Sequence, residues 1–156
     1  MHNANAKLKQ IQAFLALSDR VGTAGQPTAA QFADIQTAGY QSIVNLALVS
    51  STDAIAEEGE IVAQLDMEYV HIPVDWETPS LTDLTRFFAV MDQRSDLQVF
   101  VHCAKNMRVS AFMYLYRVIR QQVAPEDALA DVHQIWTPIP HWRAFMDRAI
   151  AEFASS

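Results

Sequence analysis

Apolar positions along the chain follow two spacings, one typical of helices and one typical of buried strands. Helical spacing covers residues 28–38, where Thr28 stands at an N-cap position and Gly39 at a helix stop. The same spacing predicts further helices over residues 53–65, 81–91, about 108–122, 125–132 and 142–153. Apolar runs between these segments predict strands over residues 40–48, 68–74 and 97–102.

Strands that alternate with helices of this length predict an α/β fold in three layers. We expect a mainly parallel sheet of four to five strands, with helices on both faces. The run 97–102 is the most apolar and should therefore lie at the centre of the sheet. We interpret residues 1–156 as a single domain, with a helical extension over 1–19, a core over 20–122 and C-terminal helices over 123–156. Ligands of such sheets bind beyond the carboxyl ends of the strands, which directs attention to the residues after His102.

Composition narrows the function classes. The chain has 156 residues, 51% of them hydrophobic, and a formal net charge of −7, so a basic surface for nucleic acid or anionic membrane is not expected. The sequence holds a single cysteine, which excludes an intrachain disulfide and a cysteine-based zinc site. We expect no metal and no cofactor. Neither a secretory signal nor an apolar run of 18 residues is present, so the expected location is the cytoplasm; the oligomeric state is not indicated.

The segment after His102 runs from a strand end straight into a predicted helix. Cys103 has three reasons to ionise there: the inward N–H groups of the turn, the positive end of the helix, and Arg108 five residues on. The same groups favour a phosphate-like or sulfate-like oxyanion, because a guanidinium binds such anions with two hydrogen bonds. Candidate substrate-binding residues of this segment are Ala104, Lys105, Asn106, Met107 and Ser110.

Val101-His102-Cys103, followed by a short loop, an arginine and a hydroxyl residue, resembles the signature of cysteine-dependent phosphatases, the tyrosine and dual-specificity superfamily. Ala-Gly-Gln-Pro-Thr at 24–28, Ala-Gly-Tyr at 38–40 and Ile-Val-Asn-Leu at 43–46 are similar to a small bacterial branch known as phosphatase-like or beta-lactamase-hydrolase-like proteins. The resemblance covers about residues 23–117. It implies a phosphotyrosine-phosphatase-like fold and hydrolysis of a phosphomonoester, such as phosphotyrosine or another aryl or alkyl phosphate, through a phosphocysteine.

One departure from that signature leaves alternatives open. Four residues separate Cys103 from Arg108 where the phosphatase pattern has five, and Asn106 stands at the usual glycine, a place for a left-handed residue. Either the loop is one residue shorter, or Val109 takes the arginine's place and Ser110 contacts the cysteine sulfur. A loop of this length also occurs in rhodanese-like sulfurtransferases. The alternatives to a phosphatase are therefore a sulfurtransferase with a Cys103 persulfide and a non-catalytic oxyanion-binding module.

The resemblance also implies supporting groups around the cysteine. His102 should point away from the Cys103 face by strand alternation and support the thiolate through the loop backbone. The superfamily's proton donor is an aspartate on a loop about thirty residues before the cysteine, and Asp75 lies 28 residues before Cys103, with Glu77 as runner-up. A loop or capping carboxylate is the other interpretation of Asp75. Trp76 is interpreted as a core residue rather than a lid.

Overall fold

The structure is a computed structural model that describes residues 6–154. The strands are β1 (Leu15–Ala16), β2 (Val21–Ala24), β3 (Ser42–Asn45), β4 (Glu68–His71) and β5 (Val99–His102). The helices are α1 (Ala29–Thr37), α2 (Glu58–Gln64), α3 (Leu81–Gln93), α4 (Met107–Ile119), α5 (Pro125–Ile135) and α6 (Pro140–Ala154). Across residues 6–154, no helix combines the length and apolar character needed to cross a membrane.

The strands form one five-stranded sheet in the order β1-β2-β5-β3-β4. Only β1 runs antiparallel to its neighbour, and the other pairs are parallel. The prediction of a mainly parallel sheet with the most apolar strand at its centre is confirmed, since β5 is central and buried along its whole length. His102, the last residue of β5, is in register with Ala24 of β2 and Asn45 of β3, so these three residues share the carboxyl edge of the sheet.

The two faces of the sheet bury different sets of helices, which confirms the predicted three layers. On one face Val101 packs with Phe87 of α3, Phe112 of α4 and Trp142 of α6. On the other face Phe100 packs against side chains of α1 and α2, among them Phe32, Ile35 and Val62. Because side chains alternate along β5, this central strand delivers Cys103 to the first face and His102 to the second.

The first two strands, β1 and β2, were not predicted from the residue pattern. Of the predicted helical extension 1–19, residues 1–5 lie outside the described part, residues 6–8 are helical, and residues 15–16 form β1 instead. β2 has only four residues and contains Gly22, which weakens a strand pattern. A Cβ at this position would lie 2.6 Å from the hydroxyl oxygen of Tyr40, so a larger residue would force the Tyr40 side chain to move. The prediction of a helical extension is therefore wrong for residues 15–16, because pairing with β2 makes them a strand.

Helix boundaries agree more closely with the pattern. Thr28 is the N-cap of α1, where its side chain and that of Gln31 form a capping box, and Gly39 follows the helix with φ of +104°. The helix predicted over 53–65 begins only at Glu58. Asp53, with φ of +63°, has a left-handed conformation that a regular helix does not allow, so the chain is still a loop there.

Candidate active site

A cavity of about 400 Å³ opens beside the carboxyl end of β5. Its lining combines the 103–108 loop with the loop after β3 and one aromatic ring: Leu48, Ser50, Ser51, Thr52, Trp76, Cys103, Ala104, Lys105, Met107 and Arg108. Helix α4 begins at Met107, and the first N–H groups of a helix have no partner within it. The short loop therefore brings a thiol, a guanidinium and the positive end of a helix to one cavity.

The structure distinguishes between the two registers of the loop. Arg108 is 6% exposed and lines the cavity, whereas Val109 lies fully buried in the core. The Arg108 guanidinium donates from Nη1 to the Val74 carbonyl oxygen (3.0 Å) and from Nη2 to Ser51 Oγ (3.4 Å). The loop is thus one residue shorter than the phosphatase pattern, and Arg108 keeps the position of the arginine.

The predicted contact between Ser110 and the cysteine sulfur is wrong. The Ser110 hydroxyl donates to the Met107 carbonyl oxygen (2.8 Å) and accepts from the Trp136 indole N–H (2.9 Å). Ser110 lies on the α5 side of α4 and does not line the cavity that holds Cys103. The contact between Ser110 and the sulfur was predicted for the register in which Val109 takes the arginine's place. In the shorter loop the helix is shifted by one position, which turns each side chain by about 100° around the helix axis.

Asn106 supports the loop from behind. Its backbone is left-handed, with φ of +66°, as its place at the usual glycine suggested. Its buried side chain donates from Nδ2 to the Ala13 carbonyl oxygen (2.8 Å) and to Thr23 Oγ1 (3.0 Å). The structure therefore turns this side chain toward the N-terminal segment and away from the cavity, so a side-chain contact of Asn106 with substrate is not supported. Ala104, Lys105 and Met107 do line the cavity, and their role in substrate binding stays a prediction.

The Gly-Gln-Pro segment after β2 holds the other side of the loop. The backbone N–H of Gln26 donates to the Ala104 carbonyl oxygen at 2.9 Å. A Cβ on Gly25 would lie 2.5 Å from that same oxygen, so only glycine allows the two backbones to approach so closely. This contact directs the Ala104 carbonyl oxygen toward the Gly-Gln-Pro segment.

His102 is fully buried beneath the loop and makes two polar contacts. Its Nε2 lies 2.7 Å from Glu58 Oε2, and its Nδ1 lies 3.2 Å from the Cys103 carbonyl oxygen. The other Glu58 oxygen accepts from the Gln26 side chain at 2.7 Å. The predicted orientation of His102, away from the cysteine and toward the loop backbone, is the one observed.

Glu58 is the residue that sequence reasoning missed. Burial raises the pKa of its carboxyl, but hydrogen bonding and charge attraction from His102, with hydrogen bonds from Gln26 and Tyr69, outweigh this and hold the pKa below its ordinary value. A signal was present in the predicted helix, because Glu58 falls at helical spacing between the apolar positions Ile55 and Val62. An acidic residue on the apolar face of a helix indicates a buried partner.

The two candidate proton donors lie on an exposed loop after β4. Asp75 Oδ1 accepts from the backbone N–H groups of Glu77 (2.8 Å) and Thr78 (3.3 Å), which is the capping arrangement. Neither Asp75 nor Glu77 lines the cavity around Cys103; Glu77 lines a different surface cavity beside α6. A role for Asp75 in proton transfer stays a prediction.

Trp76 is both a wall of the cavity and part of an aromatic cluster. Its ring lies 5.5 Å from that of Trp136 and 5.6 Å from that of Trp142, centroid to centroid. Its carbonyl oxygen accepts from His141 Nε2 (2.9 Å) and Trp142 Nε1 (3.0 Å). Helix α6 thus fixes the loop that carries Asp75. The interpretation of Trp76 as a core residue describes its packing in the aromatic cluster but not its place in the cavity wall.

The charge balance at the cavity is positive although the protein is acidic. Lys105 and Arg108 are its charged lining residues, and among the described residues that line it there is no carboxylate. Such a surface attracts an anionic ligand toward the thiol. Across the described chain, no group of three or more His, Cys, Asp or Glu residues is placed to hold a metal ion.

Comparisons with known proteins agree with this geometry. The family model described as DSP-PTPase phosphatase fused to NAD+ kinase matches residues 10–138. A DUF442 protein of Shewanella putrefaciens CN-32 has a crystal structure that is 35% identical, with a TM-score of 0.85, over 95% of this chain and 97% of that one. No curated protein sequence matches.

More distant structures share the fold. PTPMT1 in complex with PI(5)P is 12% identical with a TM-score of 0.78, over 92% of this chain and 98% of that one. The core catalytic domain of the PP-IP phosphatase SIW14 from S. cerevisiae is 11% identical with a TM-score of 0.73, over 88% of this chain and 85% of that one. At these identities the likeness extends to the fold alone, which is that of tyrosine and dual-specificity phosphatases.

Proposed function

The chain belongs to the family of DSP-PTPase phosphatases fused to NAD+ kinase, and on this premise we propose that it hydrolyses a phosphomonoester through a phosphocysteine on Cys103. The observation that supports the proposal most directly is the shared cavity of Cys103 and Arg108 at the start of α4. Solved structures with the same fold include a PP-IP phosphatase and a protein bound to PI(5)P, which fits a phosphorylated substrate.

The proposed reaction has two displacement steps at phosphorus. The Cys103 thiolate attacks, an S–P bond forms as the P–O bond to the leaving group breaks, and the leaving oxygen takes up a proton. Water then attacks phosphorus, the P–S bond breaks, inorganic phosphate leaves, and the thiolate is restored as the water gives up a proton. Arg108 and the N–H groups of the loop hold the non-bridging oxygens, whose charge is redistributed during both steps.

The phosphocysteine is the species that tests this mechanism. We expect that rapid mixing with an aryl phosphate, followed by quenching in denaturant and mass spectrometry, gives a phosphoryl adduct on the peptide that contains Cys103. The adduct forms because attack by sulfur precedes attack by water. A protein that releases phosphate at a measurable rate without ever carrying this adduct would contradict the covalent mechanism.

A sulfurtransferase is the second candidate, and one observation favours it. No carboxylate is found among the described lining residues, and transfer of sulfur from a Cys103 persulfide requires no proton donor of that kind. Incubation with thiosulfate distinguishes the two candidates in the same assay. Addition of one sulfur atom to Cys103, with no phosphoryl adduct from aryl phosphates, would replace the phosphatase proposal. Oxyanion binding without either adduct would favour a non-catalytic module.

We propose that Asp75 protonates the leaving oxygen through its second carboxylate oxygen, since Oδ1 takes both bonds from the loop. In that role, Asp75→Asn is expected to lower kcat on an alkyl phosphate by about 10²-fold or more, while a nitrophenyl phosphate is affected far less. The reason is that a weakly basic leaving group departs without a proton. The measurement is kcat for both substrates, with the exposed Asp96→Asn as the matched control and Glu77→Gln as the test of the runner-up proton donor. An equal loss of kcat on both substrates would show that Asp75 stabilises its loop and does not donate the proton.

A further inference from the structure

The buried ring of His102 is bounded by hydrogen-bond acceptors on both of its nitrogens. Nε2 faces a carboxylate oxygen of Glu58 at 2.7 Å, and Nδ1 faces the carbonyl oxygen of Cys103 at 3.2 Å. A carbonyl oxygen never donates, so Nδ1 carries a proton. If Glu58 is ionised, its oxygen also only accepts, and Nε2 must carry a proton as well. Both protons together make the ring a cation.

Two groups besides His102 keep Glu58 ionised in its buried place. The Gln26 side chain donates to Oε1 at 2.7 Å, and a hydrogen bond from Tyr69 on β4 also favours the charged form. The pKa of Glu58 accordingly lies below its ordinary value despite burial, while burial raises the pKa of Tyr69 and keeps its hydroxyl protonated. From α1 the uncharged ring of Phe32 lies against the ring of His102, with a centroid distance of 6.0 Å. The titratable groups around His102 are thus Glu58, Tyr69 and Cys103.

We propose that Glu58 is a positioning residue that holds His102 as a cation against the backbone of Cys103 and thereby favours the Cys103 thiolate. The pair is closed to solvent, since His102 is fully buried and Glu58 is 2% exposed, so its charges are weakly screened. The bond from Nδ1 also holds the Cys103 carbonyl oxygen against the buried His102 ring. The catalytic importance of this arrangement rests on the proposed function, whereas the ion pair and its effect on the thiol do not.

The pH dependence of Cys103 alkylation measures this effect without any turnover. A nearby cation stabilises the thiolate, so we expect its loss to move the midpoint of alkylation to higher pH. For Glu58→Gln we expect an upward shift of about one pH unit, which means alkylation about tenfold slower below both midpoints. The glutamine keeps the shape and a hydrogen bond but not the charge. Glu60→Gln, an exposed position on the same helix, is the matched control and should not shift the midpoint.

Each outcome decides the proposal. A folded Glu58→Gln variant with the wild-type midpoint overturns it, and a shift confined to this variant supports it. If the variant does not fold, the nitrogen-15 shifts of His102 in the wild-type protein decide instead: two protonated nitrogens at pH 7 support the proposal, and a neutral ring overturns it. An alkylation shift in a protein that shows no phosphoryl adduct would reject the phosphatase while keeping the ion pair.

Discussion

Replacing Cys103 with serine is expected to lower kcat on an aryl phosphate by about 10⁴-fold or more. The serine hydroxyl is a poor nucleophile at neutral pH, because the groups that favour a thiolate cannot ionise an alcohol with a far higher pKa. The substitution is nearly isosteric in a position that is 1% exposed, so the cavity should keep its shape. The measurement is single-turnover release of the aryl alcohol, with enzyme in excess.

Binding of an oxyanion serves as the internal control for this variant. If the loop is intact, Cys103→Ser should still bind inorganic phosphate, since Arg108 and the loop N–H groups are unchanged. Turnover equal to that of the wild type would show that the sulfur does not react and would end the phosphocysteine mechanism. Loss of turnover together with loss of phosphate binding would indicate a damaged loop, and Cys103→Ala would then separate the two effects.

The second large effect is expected at Arg108. Arg108→Lys keeps the charge but loses the planar fork that holds two oxygens at once, and kcat/KM should fall by about 10²-fold or more. Part of the loss comes from the protein itself, because the guanidinium also donates to the Val74 carbonyl and to Ser51 Oγ. A lysine ammonium group, which is shorter and not planar, cannot donate to Val74 and Ser51 and at the same time hold two oxygens of a substrate.

Steady-state kinetics with an aryl phosphate checks this expectation. Arg86→Lys on α3 makes the same chemical change at an exposed position and should leave kcat/KM unchanged. Thermal unfolding of both variants separates lost catalysis from lost stability. If Arg108→Lys retained full kcat/KM, bidentate binding of the substrate by Arg108 would be wrong. The guanidinium would then have only a structural role in the wall of the cavity.

Local patterns predicted the parts of the fold and the site that depend on neighbouring residues. The strand end at His102, the left-handed Asn106 and the start of α4 follow from a run of nine residues, and all three are observed. The α1 cap at Thr28 is equally local. Where the residue pattern left two loop registers open, the burial of Val109 decided between them.

Long-range pairing accounts for what the sequence did not predict. Glu58 meets His102 across 44 positions, and no local pattern names that partner. β1 consists of two residues that become a strand only through pairing with β2. Ser110 was placed from its spacing to Cys103, but its hydroxyl is taken by Trp136, 26 residues away. Each of these features arises from packing between distant segments, which periodicity does not describe.

The aromatic cluster beside the cavity has a practical consequence. The chain contains three tryptophans, and Trp76, Trp136 and Trp142 all pack within 6.3 Å of one another, centroid to centroid. Indole emission from this protein therefore originates at a single place, and one of its rings forms a wall of the space around Cys103. We therefore expect a ligand that fills this space to change the intrinsic tryptophan fluorescence of the protein, so that binding can be followed without a label.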